Sequence, residues 1–317
     1  MDTVYIMRRT YLTVILSVVF CACAFCREAP GKNRIRMAFY NTENMFDTLA
    51  SKTYDDAEFT PSGKNAWDGR KYRTKIKNTA RVLADMNADI IGLAEIENDG
   101  VLADLVGSLP AGYGYVHMET ADNRGIDPAL LYKKEVFSPV SWTLEVSPMN
   151  ERGILHVKGV LKTTGDTLHV MVNHWTSRYM GQKATEASRV DMGRLSAETA
   201  NAILSSNPHA LIFACGDLND DPYDVSVQTL LRLSPQIRSH SDAAKTPGYY
   251  YQKQWYSFDQ IFTNFAPEGS MMSVFRRPYM LTDGGVPLRT FQGPVYKGGY
   301  SDHLPVFIDV EISDLKQ

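Results

Sequence analysis

Cysteine is scarce in this chain. Of its four cysteines, Cys21, Cys23 and Cys26 crowd the N-terminus, leaving Cys215 alone in the body. A disulfide framework and a Cys-rich zinc cage are both excluded. Cys215 sits in an apolar run and reads as a core filler rather than a nucleophile. Histidine is sparse too, with seven in 317 residues. There is no Gly-rich phosphate cradle of the P-loop type and no Gly-x-Ser-x-Gly elbow, so nucleotide-loop and serine-hydrolase chemistry lack support. No excess of positive charge appears. The formal net charge is −3, which argues against a basic sheath gripping nucleic acid non-specifically. A nuclease is still allowed, because an enzyme needs only a local positive site, and a bound ion supplies much of it. After the N-terminus there is no low-complexity linker, no internal repeat and no apolar run of spanning length.

What is present is an ordinary globular composition, 44% hydrophobic and 22% charged. The N-terminus has the layout of an export signal over residues 1–26. Arg8 and Arg9 precede the apolar run Tyr11–Phe20, and Ala22-Cys23-Ala24 offers small residues for cleavage. Residues 27–33 form a short linker, and 34–313 form one domain. The protein is expected to be periplasmic or secreted. An outer-membrane lipoprotein is the alternative, since three cysteines flank the cleavage region, although Phe20 and Phe25 are bulky where lipid attachment wants small residues.

Strand-like and helix-like segments alternate. Strands are expected over 34–40, 88–94, 114–118, 129–132, 154–162, 167–174, 210–216, 255–263 and 304–312. Helices are expected over 68–87, 101–109, 185–206 and 225–233, with a polar loop over 41–65. In the first helix Tyr72, Ile76, Ala80, Leu83 and Met86 recur about once per turn. Strands outnumber helices and often adjoin one another. This predicts an α/β domain of sheet packed on sheet with helices outside, not a doubly wound parallel sheet.

The chemistry-bearing residues follow apolar strands. Asn41, Glu95, Asn173, His174, Asp217 and Asn219 each stand at a strand end, Asp259 lies within one, and Asp302 and His303 precede the last. Ligands of α/β sheets collect at strand ends. Carboxylates and amides are hard oxygen donors suited to magnesium, manganese or calcium. With two imidazoles, they suit phosphoryl transfer to water.

The motifs themselves resemble those of the endonuclease/exonuclease/phosphatase superfamily, which includes exonuclease III, pancreatic-type deoxyribonuclease, bacterial sphingomyelinases and inositol-polyphosphate phosphatases. Seven occur in the family's order: Phe39-Tyr40-Asn41-Thr42-Glu43-Asn44, Leu93-Ala94-Glu95-Ile96-Glu97-Asn98, Arg124-Gly125-Ile126-Asp127 with Ala129–Tyr132, Asn173-His174-Trp175, Cys215-Gly216-Asp217-Leu218-Asn219-Asp220, Ser257-Phe258-Asp259-Gln260-Ile261 and Ser301-Asp302-His303-Leu304-Pro305-Val306. The resemblance implies a four-layer, deoxyribonuclease I-like sandwich of two mixed β-sheets flanked by helices, in an exported bacterial member.

It also implies roles. Glu95 is the main metal ligand, with Asn41 and Asp302 beside it and Glu43 as a second acidic metal residue. The ion is magnesium, with manganese or calcium as alternatives. His303 contacts the scissile phosphate and is held by Asp259. Asp217 orients or deprotonates water, while Asn219 and Asn173 donate to phosphate. His174 is the second catalytic histidine, oriented in our reading by Asp127. Arg124 and Arg178 are phosphate contacts. Glu97 supports the metal site or lies at the surface, and Asp47, Asp55, Asp56 and Glu58 form a solvated loop. The remaining histidines read as structural or exposed. Tyr249, Tyr250, Tyr251 and Trp255 could stack bases, with sheet packing the alternative. The implied activity is phosphodiester hydrolysis on a nucleic acid. A phospholipid or a small phosphate ester is the alternative substrate, and a non-catalytic binding protein on the same fold is a distant one. The sequence suggests no exposed hydrophobic hairpin for a lipid surface, no transmembrane span in the mature chain and no stable protein partner.

Overall fold

The computed structural model describes residues 34–315; the expected signal and linker lie outside the described residues. In chain order the strands are β1 (Arg34–Met45), β2 (Ile90–Ile96), β3 (Tyr113–His117), β4 (Asp127–Lys133), β5 (Phe137–Ser147), β6 (Asn150–Leu161), β7 (Thr167–His174), β8 (Leu211–Asp217), β9 (Arg238–Ser239), β10 (Tyr249–Tyr251), β11 (Gln254–Tyr256), β12 (Asp259–Thr263), β13 (Ser273–Val274), β14 (Phe291–Gln292), β15 (Val295–Tyr296) and β16 (Val306–Glu311). The helices are α1 (Gly69–Met86), α2 (Asp99–Gly107), α3 (Gln182–Ser206) and α4 (Val225–Leu233). One six-stranded sheet runs β13-β16-β1-β2-β4-β3, and the other β5-β6-β7-β8-β12-β9. Both are mixed: β1–β2 and β7–β8 are parallel pairs among antiparallel neighbours. The domain is the four-layer sandwich expected.

Strand periodicity builds the layers. Ile35, Met37 and Phe39 of β1 face Val170 and Val172 of β7 and Phe213 and Cys215 of β8 across the sheet interface. The intervening Ala38 and Tyr40 turn outward against Ile76, Leu83 and Met86 of α1. On the far side Met171, Ile212 and Phe262 pack beneath Met192, Ala200 and Val227 of α3 and α4. Residues two apart share a face, so each strand feeds the central core and one outer helix layer. Full burial of one such side chain stabilises the fold by roughly 1.5–3 kcal/mol. Helix α1 starts where the Asp68 carboxylate accepts from Arg70 N and Lys71 N, and stops at Asn87 in left-handed backbone.

The structure alters three local expectations. β1 continues to Met45 instead of ending at Tyr40, because a bulge lets polar Asn41–Asn44 remain in the sheet. The expected 255–263 strand is two strands, parted at Ser257 and Phe258. β5 lies where no element is expected from sequence. It is an edge strand, and its Ser and Pro content with little burial hides its periodicity. The hairpin it forms with β6 exposes Val140, Trp142, Val146 and Met149, which corrects the expectation that no apolar hairpin is exposed. Among the described residues no helix is long and apolar enough to cross a membrane.

At the interface between the sheets, Gly92 leaves no room for a Cβ, which would lie 2.6 Å from Cys215 Sγ and 3.2 Å from Val172 Cγ1. Overpacking of this kind costs roughly 1–3 kcal/mol. Gly92→Ala is therefore expected to lower the urea midpoint accordingly. Adding Cys215→Ala should recover part of the loss, because it removes the atom that clashes.

Candidate active site

Three strand ends and the bulge of β1 converge at one edge of the interface. Asn41 continues the inward-facing set of β1, His174 that of β7, Asp217 that of β8, and Asp259 opens β12. Register fixes their spacing: His174 pairs with Asp217 across β7–β8, and Asp217 with Asp259 across β8–β12. The backbone at this edge departs from ordinary strand geometry. Glu43, Asn44, Glu95 and Asn219 all have positive φ (56°, 50°, 66° and 51°). Each such residue costs energy and persists only where its surroundings enforce it, commonly at functional sites.

The Asn41 amide joins the sheets, donating to Asp217 Oδ2 at 3.0 Å and to Glu95 Oε1 at 3.4 Å. Glu95 Oε2 accepts Asn44 N at 2.7 Å. Asp217 Oδ1 accepts Asn219 N at 2.9 Å, and Asn219 Nδ2 reaches Trp175 O at 3.0 Å. Ser301 ties in the last motif, donating to Asn41 O at 2.8 Å and accepting His303 N at 3.0 Å. His303 Nδ1 lies 2.7 Å from Asp259 Oδ2, and its Nε2 is 3.7 Å from Asp217 Oδ2.

The two imidazoles live in opposite environments. Burial works against a charged His303, but the Asp259 and Asp217 carboxylates outweigh it and hold its pKa at about 10. The imidazole is therefore charged at neutral pH. Burial lifts Asp217 to about 6, with His303 pulling the other way. His174 is pushed well below the ordinary range by burial and by Arg152 and Arg124. Its Nε2 lies 2.8 Å from Arg152 Nη1. A guanidinium can only donate, so Nε2 carries the lone pair and the ring is neutral with its proton on Nδ1.

Several expected placements are corrected. Asp127 does not orient His174: its carboxylate is 3.0 Å from His117 Nε2 and accepts Thr120 N at 2.8 Å. Arg152, anchored to Asp122 Oδ2 at 2.8 Å, holds His174 instead. Asn173 faces away from the site. Strand alternation puts it under α3, where Oδ1 accepts from Trp175 Nε1 and Ser196 Oγ, both at 3.0 Å. Arg178 is not free for phosphate. It donates to Asp220 Oδ1 and Asn219 O, and Asp224 lies against it, so it braces the loop after β8. Glu43 is buried, and its carboxylate accepts Thr290 N at 2.6 Å and lies against Lys75 and Arg289. Asp302 lies beside His303, but its Oδ2 accepts Arg289 Nη2 at 2.6 Å. Asp56 and Glu97 are buried rather than solvated, and burial lifts the Glu97 carboxyl to about 8. Arg124 is exposed, with its guanidinium 3.8 Å from Asp122.

Sequence reasoning missed Arg152, Arg289, Lys75 and the role of Tyr249. The first three lie outside the matched motifs, and only the fold brings them in. Tyr249 stacks on His303, with centroids 4.4 Å apart and planes 22° from parallel.

The donor set fits a hard divalent cation. Asp217, Asp259 and His303 offer ligand atoms within 4.8 Å of one another. In that trio, however, His303 is charged and Asp259 Oδ2 is committed to it, so the trio handles protons better than it binds metal. Glu95 is less enclosed and offers oxygen ligands to an ion. Asn41, expected beside it as a metal residue, turns its amide N–H to Glu95 while its Oδ1 accepts Glu43 N at 3.0 Å, so it orients Glu95 instead of binding the ion.

A mixed-sheet sandwich whose edge gathers carboxylates, amides and an Asp–His pair defines a metal-dependent phosphoester hydrolase. The chain belongs to the endonuclease/exonuclease/phosphatase family, whose model matches residues 36–312. Members of this superfamily are divalent-metal-dependent phosphodiesterases and phosphatases. Among solved structures, truncated TDP2 from Caenorhabditis elegans is similar at 17% identity and TM-score 0.60, covering 88% of this chain and 98% of its own. A family protein from Bacteroides thetaiotaomicron matches at 17% and 0.61, covering 87% and 94%. A mannosyl-6-phosphatase from the same organism matches at 18% and 0.59, covering 86% and 98%. Comparison with curated protein sequences gave no match.

The charge states set a pH profile. Hydrolysis is expected to rise as Asp217 loses its proton near pH 6 and to fall as His303 loses its own near pH 10. In Asp259→Asn the carboxylate that raises the His303 pKa is gone while burial remains. The alkaline limb of kcat/KM against pH should then move to lower pH.

Proposed function

We propose that the protein is an exported, divalent-metal-dependent endonuclease that hydrolyses phosphodiester bonds in DNA. The observation that carries this reading is the pair of imidazoles of opposite charge state flanking Asp217. Asp217, with one oxygen fixed by Asn219 N, takes the proton of the attacking water. Charged His303 donates from Nε2 to the phosphate oxygen that gains negative charge, and Asp259 holds its ring. Asn219 keeps one amide hydrogen beyond its bond to Trp175 O. Magnesium, with manganese or calcium as alternatives, would add Lewis-acid charge at Glu95.

Nucleic acid suits the surroundings of the site. Tyr251 is exposed and stacks on Tyr249, and Tyr179 and Tyr223 are exposed after β7 and β8. Such rings favour bases and sugars flanking a scissile phosphate. Arg124 adds local charge that the net balance does not. Export rests on the signal-like residues 1–26, with a lipid anchor as the alternative.

A second reading, phospholipid hydrolysis, is favoured by one observation, the exposed Val140, Trp142, Val146 and Met149 of the β5–β6 hairpin. The two readings separate in one assay. Purified protein is incubated with magnesium or manganese, with and without chelator, on plasmid DNA, RNA, sphingomyelin vesicles and a small phosphomonoester. Metal-dependent nicking of the plasmid is expected, with His303→Ala slower by at least about a hundredfold. Vesicle hydrolysis without DNA cleavage would replace the nuclease reading with the lipid one.

A further inference from the structure

Glu43 and Asp302 are a further pair of carboxylates beside the site, and both are already neutralised by side chains. Glu43 Oε2 lies 3.7 Å from Lys75 Nζ, and Oε1 is 3.4 Å from Arg289 Nε. Arg289 Nη2 goes on to Asp302 Oδ2 at 2.6 Å. The guanidinium thus sits between the two acids. Lys75 comes from α1, is 1% exposed, and donates to Thr290 Oγ1 and Tyr300 O, both at 2.8 Å. Arg289 is placed by the same loop, since its neighbour Thr290 gives its backbone N–H to Glu43. From α1 to the catalytic edge the charges alternate: Lys75, Glu43, Arg289, Asp302, His303, Asp259.

We propose that Arg289 stands where a second divalent ion would, so that the protein takes up one ion, at Glu95, and not two. Arg289 is a positioning residue: it holds Asp302 and Glu43 out of metal coordination. This rests on the metal-dependent reading above for the ion at Glu95. A second ion would have to displace a guanidinium that cannot lose its proton. It would also have to strip a buried carboxylate of a partner it already has, which is costly. Asp302 has only Oδ1 uncommitted, 4.0 Å from His303 Nε2. Lysine at position 289 keeps a charge there, whereas methionine leaves two acids facing one another, an arrangement that favours a hard divalent ion.

Calorimetric titration of the metal-stripped protein with Mn2+ tests this. The wild type and Arg289→Lys should each take one equivalent, and Arg289→Met should take a second. Two equivalents in the wild type, or one in a folded Arg289→Met, would overturn the proposal. Should Arg289→Met fail to fold by circular dichroism, Asp302→Asn decides. It should keep the single equivalent with affinity within about twofold of the wild type, and loss of binding overturns the proposal. No binding by the wild type would overturn the metal-dependent reading as well, whereas two equivalents overturn this inference alone.

Discussion

The Asn41 amide is the joint on which the site turns. It belongs to β1 of one sheet and donates at once to Glu95 of the same sheet and Asp217 of the other. Two carboxylates this close would otherwise repel, and each would draw water into the gap between the sheets. The amide screens them from one another and fixes their separation, while Ser301, bonded to Asn41 O, draws the His303 loop onto the same point. Each sheet contributes half of the chemistry. β2 carries the oxygen-donor half at Glu95. β8 and β12 carry the proton-handling half at Asp217 and Asp259. The packing that buries Phe39, Val172 and Cys215 between the sheets therefore also sets the geometry of catalysis.

The left-handed residues have the same cause. A strand entering the site must stop presenting alternate faces and aim a side chain forward. Glu95 and Asn219 do this with positive φ, where glycine would be easier. Their side chains are what the site uses, so glycine is not available. The strain is held by bonds around it: Asn44 N and Asn41 on Glu95, Asp217 Oδ1 and Trp175 O on Asn219.

Much of this was legible in the sequence because strand ends are local. An apolar run followed by Asn, Asp, Glu or His marks Asn41, Glu95, His174 and Asp217 with no knowledge of the partner strands. Strand parity was legible as well and would have excluded Asn173. Leu168, Val170 and Val172 form one face and His174 continues it, so Asn173 belongs to the other, under α3. β5 escaped because an exposed edge strand has no apolar alternation to display. Arg178 and Asp127 misled for a different reason. A charged residue beside a motif looks available for substrate, but its neighbours in space can claim it first, as Asp220 claims Arg178 and His117 claims Asp127. Arg152 and Arg289 are the converse. They lie 22 and 13 positions from the His174 and Asp302 they hold, with no local signature.

Arg152 shows why the two histidines must differ. Both imidazoles approach Asp217, with Nε2 of His174 at 3.9 Å and Nε2 of His303 at 3.7 Å. Were both charged, Asp217 would be held so firmly as a carboxylate that it would be a poor base; were both neutral, burial would leave it protonated. The fold resolves this by giving one ring a carboxylate partner and the other a guanidinium. Asp259 fixes the charge on His303, and Arg152 forbids it on His174. Asp217 then faces one positive charge, enough to keep it ionised near neutral pH and weak enough to let it take a proton. The opposed partners, more than the histidines themselves, are what make this edge a site for moving protons.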